Sequence, residues 1–95
     1  MNAYIIAYDV DTTVDFPKSA AQVYSDVLNK IKSYPISGQL TESCWLILSD
    51  CSYVKIRDEL LALMRNGDRL LVVQSARIAA WHNLKSDTAW VKANI

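Results

Sequence analysis

The sequence contains few of the residues that build specialised sites or interrupt regular structure. Its 95 residues include two glycines, two prolines, two cysteines and one histidine. No glycine-rich phosphate loop, catalytic triad or zinc-ligand spacing is present. With 52% hydrophobic residues and so little glycine and proline, the chain is not of the disordered or low-complexity class. We therefore expect a single folded domain over residues 1–95.

The sequence also lacks an excess of charge of either sign. Ten basic residues balance ten acidic ones, and the cations are dispersed along the chain. A protein that holds nucleic acid through its phosphates normally concentrates positive charge on one surface. Binding of nucleic acid through a local basic patch stays open, but the composition does not favour it.

Long apolar segments are missing as well. No basic stretch precedes the N-terminal apolar run, and no segment approaches the roughly 18 apolar residues that a membrane span needs. We therefore expect a cytoplasmic protein without a membrane partner. Cys44 and Cys51 are then expected as thiols, and without neighbouring histidines they do not make a zinc site.

Hydrophobic periodicity predicts alternating strands and helices. Ser19, followed by Gln22, predicts the start of a helix that Pro35 closes, and Asn66-Gly67 predicts a left-handed stop after a second helix, with Arg65 in that helix's last turn. The predicted elements, in order, are a strand over 3–10, a helix from Ser19, a short strand over 38–40, a strand over 44–48, a helix after Ser49–Ser52, and a strand over 70–74.

This β-α-β-β-α-β order predicts an α+β protein with a ferredoxin-like antiparallel sheet and both helices on one face. The apolar runs suggest strands that are covered on both faces, so the face away from the helices needs a cover. A homodimer would supply it, and so would the C-terminal extension over 78–95, which carries Trp81, Trp90 and a short helix over 86–94. A charge at Ile6 or Ile47 would damage folding or association, depending on the face that each residue uses.

Asp9 and Asp11 follow the first apolar run and are the candidate site residues. Mg²⁺ prefers oxygen ligands, commonly one or two carboxylates with several waters, so both acids are candidate ligands for Mg²⁺ or Mn²⁺. The alternative is that they only end the strand and organise the turn over 11–13 through hydrogen bonds to the backbone. The sequence favours this second interpretation, since no histidine or lysine stands nearby as a general acid or base.

Five further side chains have a reactive or binding interpretation and a simpler one. Cys51 could be activated by a helix N-terminus, but an inert thiol is favoured. His82 could carry a proton, yet a turn residue is favoured. Trp45, Trp81 and Trp90 could stack on bases, but packing in a core or an interface is favoured, because each lies in an otherwise apolar pattern and buries a large area.

Several short stretches match a known pattern in order and spacing: Tyr8-Asp9, Leu40 to Ile47, Asp68 to Val72, and Ala79-Ala80-Trp81 with Trp90. The chain resembles the SinR-like family over nearly its whole length. That family is similar to the ferredoxin-like CRISPR-associated adaptation protein and more distantly to the VapD-type ribonucleases.

The resemblance implies a two-fold dimer and places Asp9 where the CRISPR-associated family carries an acid at the end of its first strand. In those relatives the two acids lie across the dimer interface and have been proposed to hold a divalent metal for phosphodiester hydrolysis. The adaptation role itself is structural. We therefore expect a homodimeric interaction or regulatory module. The alternative is a metal-dependent endonuclease, acting on RNA, with Asp9 of each protomer at the site.

Overall fold

The computed structural model describes residues 1–95 and contains four strands and three helices. Most of their bounds lie within two or three residues of the predicted ones. The elements are β1 (Asn2–Asp9), α1 (Ala20–Lys32), β2 (Ile36–Thr41), β3 (Cys44–Ser49), α2 (Tyr53–Leu61), β4 (Arg69–Gln74) and α3 (Thr88–Asn94).

The four strands form one antiparallel sheet in the order β2-β3-β1-β4. In the centre of the sheet Ile6 stands between Trp45 of β3 and Val72 of β4. The predicted α+β class is confirmed, and this sheet with its helices is compatible with a ferredoxin-like arrangement. None of the three helices has the length and apolar character needed to cross a membrane.

The first face of the sheet carries the main core, under α1 and α2. Ser19 caps α1 by accepting a hydrogen bond from the backbone N–H of Gln22, as the sequence predicts. Helical spacing then turns one side of α1 inward. The residues of this core are Tyr4, Ile6, Tyr8, Val10, Val23, Val27, Ile31, Tyr34, Trp45, Ile47, Ile56 and Leu60.

The second helix is shorter than its apolar pattern suggests. Ser52 caps α2 by accepting a hydrogen bond from the backbone N–H of Lys55, and the helix ends at Leu61. Arg65 therefore lies beyond the helix and not in its last turn. The expected left-handed stop at Gly67 is wrong, because no glycine in the chain has a positive φ. A turn held by Arg65 and Asp68 ends this region instead.

The second face of the sheet is covered over one half by the C-terminal segment. Val91 of α3 is fully buried and forms a small cluster with Leu40 and Leu46. Trp81, Leu84 and Trp90 pack against this cluster. The cover lies over β2 and β3.

The other half of the second face is not covered in this way over β4, and β1 lies at the border, where Ala3 and Ile5 pack against the small cluster. Leu71 is 58% exposed and Val73 is 45% exposed. The expected apolar face away from the helices is therefore present, and over β4 nothing in the single chain supplies the cover that it needs. The side chains of Leu70 and Val72 pack against the core, whereas the side chains of the odd-numbered residues of β4 lie on the second face of the sheet, away from the helices.

Candidate functional site at the carboxyl end of β1

Asp9 ends β1 on the second face, next to exposed apolar side chains. Its partner in register on β4 is Arg69, and both residues are exposed. A shallow depression of about 260 Å³ adjoins the pair and is lined by Ala7, Tyr8, Asp9, Arg69, Leu70 and Leu71. Asp9 thus stands at the sheet's rim, as the sequence predicts, but faces a cation in register.

Asp11 uses its carboxylate to organise the turn that follows β1. Its Oδ1 accepts hydrogen bonds from the backbone N–H of Thr13 at 2.9 Å and from the Thr13 hydroxyl at 2.6 Å. These two hydrogen bonds hold the pKa of the Asp11 carboxyl below its usual value. The simpler interpretation of Asp11 as a turn-organising residue is therefore seen directly.

A buried ion pair holds the backbone of Asp11 in place. The side chains of Arg65 and Asp68 are 4% and 1% exposed, and Arg65 Nη2 lies 3.2 Å from Asp68 Oδ1. Arg65 Nη2 also donates to the carbonyl of Asp11 at 2.5 Å, and Asp68 Oδ1 accepts the backbone N–H of Asp11 at 2.9 Å. Both backbone groups of Asp11 are thus fixed by one ion pair.

The same guanidinium fastens the loop between β1 and α1. Arg65 Nη1 donates to the carbonyls of Val14 and Lys18. Desolvation raises the pKa of Asp68, but hydrogen bonds from the side chain and backbone of Arg65 and from the backbone of Asp11 outweigh it, so the pKa lies below its ordinary value. Sequence reasoning missed this pair, because the two residues lie on either side of Asn66-Gly67 and suggest no tertiary role.

The two candidate metal ligands share one polar depression of about 290 Å³. It is lined by Asp9, Val10, Asp11, Thr12, Gly67 and Arg69. The chain brings no group of three or more His, Cys, Asp or Glu residues together. One protomer therefore offers two carboxylates, one of which already accepts two hydrogen bonds, beside the guanidinium of Arg69. This set fits a weakly held, largely hydrated divalent ion better than an enclosed one.

A second groove near Asp9, on the helix side, was not found from the sequence. It has a volume of about 470 Å³ and lies between α1 and the β2–β3 turn. The Tyr8 and Tyr24 rings meet there edge to face, with centroids 6.3 Å apart. Burial raises the pKa of the Tyr8 hydroxyl, while the nearby indole N–H of Trp45 acts in the opposite direction and itself lacks a hydrogen-bond partner of ordinary geometry.

The remaining reactive side chains do not gather into one cluster with Asp9. Cys44 and Cys51 are free thiols, and burial raises the pKa of Cys44, which makes its reactive thiolate form rarer. His82 is exposed in the C-terminal segment. Cys44 pairs in register with Ala7, two residues before Asp9, whereas Cys51 follows the opposite end of β3.

Trp45 lies in the main core, whereas Trp81 and Trp90 pack on the second face. Ile6 and Ile47 are fully buried and both belong to the main core. A charge at either isoleucine is therefore expected to damage folding first, which resolves the choice that the sequence left open.

An apolar surface next to Asp9 is also uncovered. We call it the bare patch, and it consists of Ile5, Ala7, Leu71 and Val73, which share the second face in register. Ile5 and Ala7 are half-buried, while Leu71 and Val73 are exposed. Asp9 and Arg69 form its border. A patch of this kind, rimmed by charged residues, is typical of an interaction surface.

No protein-family model matches the sequence, and no curated protein matches it.

Proposed function

We propose that the chain is a ferredoxin-like homodimer that acts as an interaction or regulatory module in the cytoplasm. The bare patch carries this proposal. The C-terminal segment covers the β2–β3 half of the second face, so the apolar surface left over is confined to β1 and β4. A second copy presents the same patch, and a two-fold axis makes such a surface self-complementary. The resemblance to SinR-like proteins supports the same association.

The experiment compares two leucines of similar exposure on different sides of the molecule. Leu71 in the bare patch is 58% exposed, and Leu61 on α2 is 50% exposed. We expect Leu71→Lys to shift sedimentation equilibrium toward the monomer, with dissociation at least tenfold easier, because burying an unpaired ammonium in an interface is costly. Leu61→Lys should leave the dimer intact. A monomeric wild-type protein at high micromolar concentration would refute the proposal.

The second candidate function is a divalent-metal-dependent endonuclease, acting on RNA, with Asp9 of each protomer at the site. The position of Asp9 favours it, because this carboxylate borders the bare patch and shares a polar depression with Asp11. Mg²⁺ or Mn²⁺ would supply a Lewis acid and a metal-bound water for phosphodiester hydrolysis. The carboxylates of Asp9 and Asp11 would hold the ion.

Labelled RNA and DNA incubated with Mg²⁺ or Mn²⁺ test this alternative. Asp9→Asn should abolish cleavage if Asp9 holds the ion. Asp50→Asn is the matched control, since Asp50 is an exposed acid at the opposite end of the sheet, near the N-terminal ammonium. Equal activity of the wild type and Asp9→Asn, or no activity in any preparation, would leave the interaction module as the function.

A further inference from the structure

The two edges of the sheet are treated differently by the rest of the chain. At the β2 edge, the backbone N–H of Lys85 donates to the carbonyl of Leu40 at 3.0 Å, and the Ser86 hydroxyl donates to the carbonyl of Gln39 at 2.6 Å. The pairing of β2 with β3 also shifts register between Gln39 and Thr41. Both features block the addition of another strand there.

At the β4 edge, no strand or segment pairs with the outer side of the strand. The outward backbone groups follow from the register. The backbone N–H of Ser75 donates to the carbonyl of Ala3, so the odd-numbered residues of β4 bond inward to β1. The N–H and C=O groups of Leu70, Val72 and Gln74 therefore point outward from the sheet.

The side chains of β4 do not protect this edge. Soluble proteins commonly guard an exposed edge with lysine, proline, a bulge or a covering segment. β4 has the sequence RLLVVQ and pairs with β1 without a register shift. Its single charged residue, Arg69, is the first residue of the strand, and the middle of the strand is wholly apolar.

We propose that β4 pairs antiparallel with β4 of a second copy, so that two sheets join into one of eight strands. This inference rests on the proposed homodimer and places the contact between its two copies at the strand edge, so that the two bare patches lie side by side on one face of the joined sheet and meet through Leu71 and Val73. Edge-to-edge strand addition supplies backbone hydrogen bonds and is an established mode of recognition between chains. The two-fold symmetry requires an antiparallel pair, which a second β4 provides.

The register of this pair follows from the outward groups and the charges. Centred on Val72, the pairing sets Val72 against its own copy and Leu70 against Gln74, so that all three outward residues of each strand form hydrogen-bonded pairs. Leu71 then faces Val73 of the partner subunit on the second face, where each side chain covers part of the other. Centred on Leu71, the pairing would set Gln74 opposite Asp68, whose carboxylate is already engaged with Arg65. No two like charges meet in the Val72-centred register.

This arrangement keeps the two Asp9 residues apart. In the Val72-centred register, each Asp9 stands level with Ala3 of the partner subunit, across three strand spacings. Strand geometry then separates the two Asp9 Cα atoms by roughly 24 Å. Two carboxylates at that distance cannot share one metal ion, so edge pairing and the endonuclease with a shared ion exclude each other.

Residue-resolved hydrogen exchange, read by NMR on samples whose dimer fraction is set by sedimentation, tests the inference. We expect the amides of Leu70, Val72 and Gln74 to exchange rapidly in dilute monomer and slowly in concentrated dimer. The amides of Leu71 and Val73 should be protected in both states and serve as internal controls. A dimer whose even-numbered amides still exchange rapidly would overturn edge pairing and leave the homodimer standing.

A backbone-specific variant gives a second reading. Gln74→Pro removes an outward N–H and leaves the hydrogen bond from Ser75 to Ala3 in place, so the fold should persist. Two hydrogen bonds are lost per dimer by symmetry, and we expect the dimer Kd to rise tenfold to a hundredfold. The control Gln74→Ala keeps the N–H and should change Kd less than about threefold.

Equal weakening by both variants would assign the effect to the side chain and refute backbone pairing. If Gln74→Pro does not fold, the exchange pattern of the wild type decides alone. A wild-type protein that stays monomeric at high micromolar concentration would overturn the homodimer and the edge pairing together, and the β4 edge would then be open to an extended segment of another protein.

Discussion

The β2 and β4 sides of the sheet differ in where their stabilising contacts lie. On the β2 side, the C-terminal segment covers the face through Trp90 and Val91 and closes the edge with Lys85 and Ser86. On the β4 side, the second face and the outer edge are open; the strand pairs with β1 along its length, and the buried pair of Arg65 and Asp68 holds the turn before it. The chain therefore protects one side of the sheet against association and leaves the other side available.

The two sides of the sheet also differ in the kind of contact that stabilises them. The β2 side is held by apolar packing, which changes little with pH, whereas the anchor of β4 is ionic and buried. Breaking a buried ion pair by removing one partner costs more than loosening a surface contact, because the remaining charge stays without compensation. Variants on the two sides should therefore differ in the size of their effects and in pH dependence.

The largest effect is expected from Arg65→Met, which removes the anchor of β4. The change leaves the Asp68 carboxylate buried without its counter-charge, and the carbonyls of Asp11 and Val14 lose a donor. We expect the free energy of unfolding to fall by about 3 to 5 kcal/mol, as measured by urea denaturation. Arg57→Met is the control, since Arg57 and Asp58 form an exposed pair, and it should cost less than about 1 kcal/mol.

Equal losses from the two arginine variants would show that the buried pair does not hold β4, and the contrast between the two sides would fail.

The next largest effect is expected from Gly38→Ala, which disturbs the cover on the β2 side. A Cβ at Gly38 would overlap the Trp90 ring and come within 3.0 Å of Ser86 Oγ. Forcing a methyl group into this contact should cost about 1 to 3 kcal/mol in unfolding free energy and displace Trp90, which tryptophan fluorescence reports.

Gly67→Ala is the matched control on the β4 side. Its added Cβ would meet only Asp11 Oδ2, at an ordinary contact distance of 3.7 Å, and its φ is not positive. Its unfolding free energy should stay within about 0.5 kcal/mol of the wild type or rise slightly. A Gly38→Ala protein as stable as the wild type would show that Trp90 and the C-terminal segment can move away from β2 without loss of unfolding free energy.

A smaller effect is expected on acidification, and it appears as a change in how the free energy of unfolding depends on pH. The pKa of Asp68 is below its ordinary value of about 3.9, so the stabilisation by this carboxylate is fully present above about pH 4. As the pH falls, Asp68 is protonated in the unfolded chain before it is protonated in the folded chain, which favours unfolding. The stabilisation is lost completely once the pH has fallen through the lowered pKa of the folded chain. Asp68→Asn should flatten this acid limb in denaturation measured between pH 2 and 6.

Asp11 and Asp26 also have lowered pKa values, Asp11 through Thr13 and Asp26 through Lys18 and Gln22. The acid limb of Asp68→Asn should therefore be shallower and not absent. Gly38→Ala should keep the wild-type limb, since its defect is apolar. An unchanged limb in Asp68→Asn would place the acid sensitivity outside the anchor of β4.

Local pattern was enough to predict the helices and strands, whereas the contacts between them were not predictable. Ser19 and Gln22 specify a helix start by themselves, and the run from Tyr4 to Tyr8 specifies a strand, because these signals depend on near neighbours. Asp9 was correctly expected at the rim for the same reason.

The tertiary partners of Arg65 were not predicted, because no local sequence pattern indicates them. Arg65 donates to carbonyls about fifty positions earlier in the chain, and only the fold brings them together. An exposed apolar face was expected, but the sequence did not show which part of it the C-terminal segment covers, since an apolar run looks the same whether one or both of its faces are covered. The bare patch is visible only once the position of the C-terminal segment is known.

The smallest effects are expected at two neighbouring residues on the closed edge. Ser86 is half-buried, and its hydroxyl reaches the carbonyl of Gln39 at 2.6 Å, so Ser86→Ala should cost about 1 kcal/mol in unfolding free energy. Lys85 pairs its ammonium with Glu42 at 2.8 Å, but the two side chains are 47% and 86% exposed, so Lys85→Met should cost about 0 to 0.5 kcal/mol. Lys85→Met keeps the backbone N–H that bonds to Leu40, so the edge stays closed. If the order of the two costs were reversed, the exposed ion pair of Lys85 and Glu42 would hold the C-terminal segment on β2 more strongly than the hydrogen bond of Ser86 does.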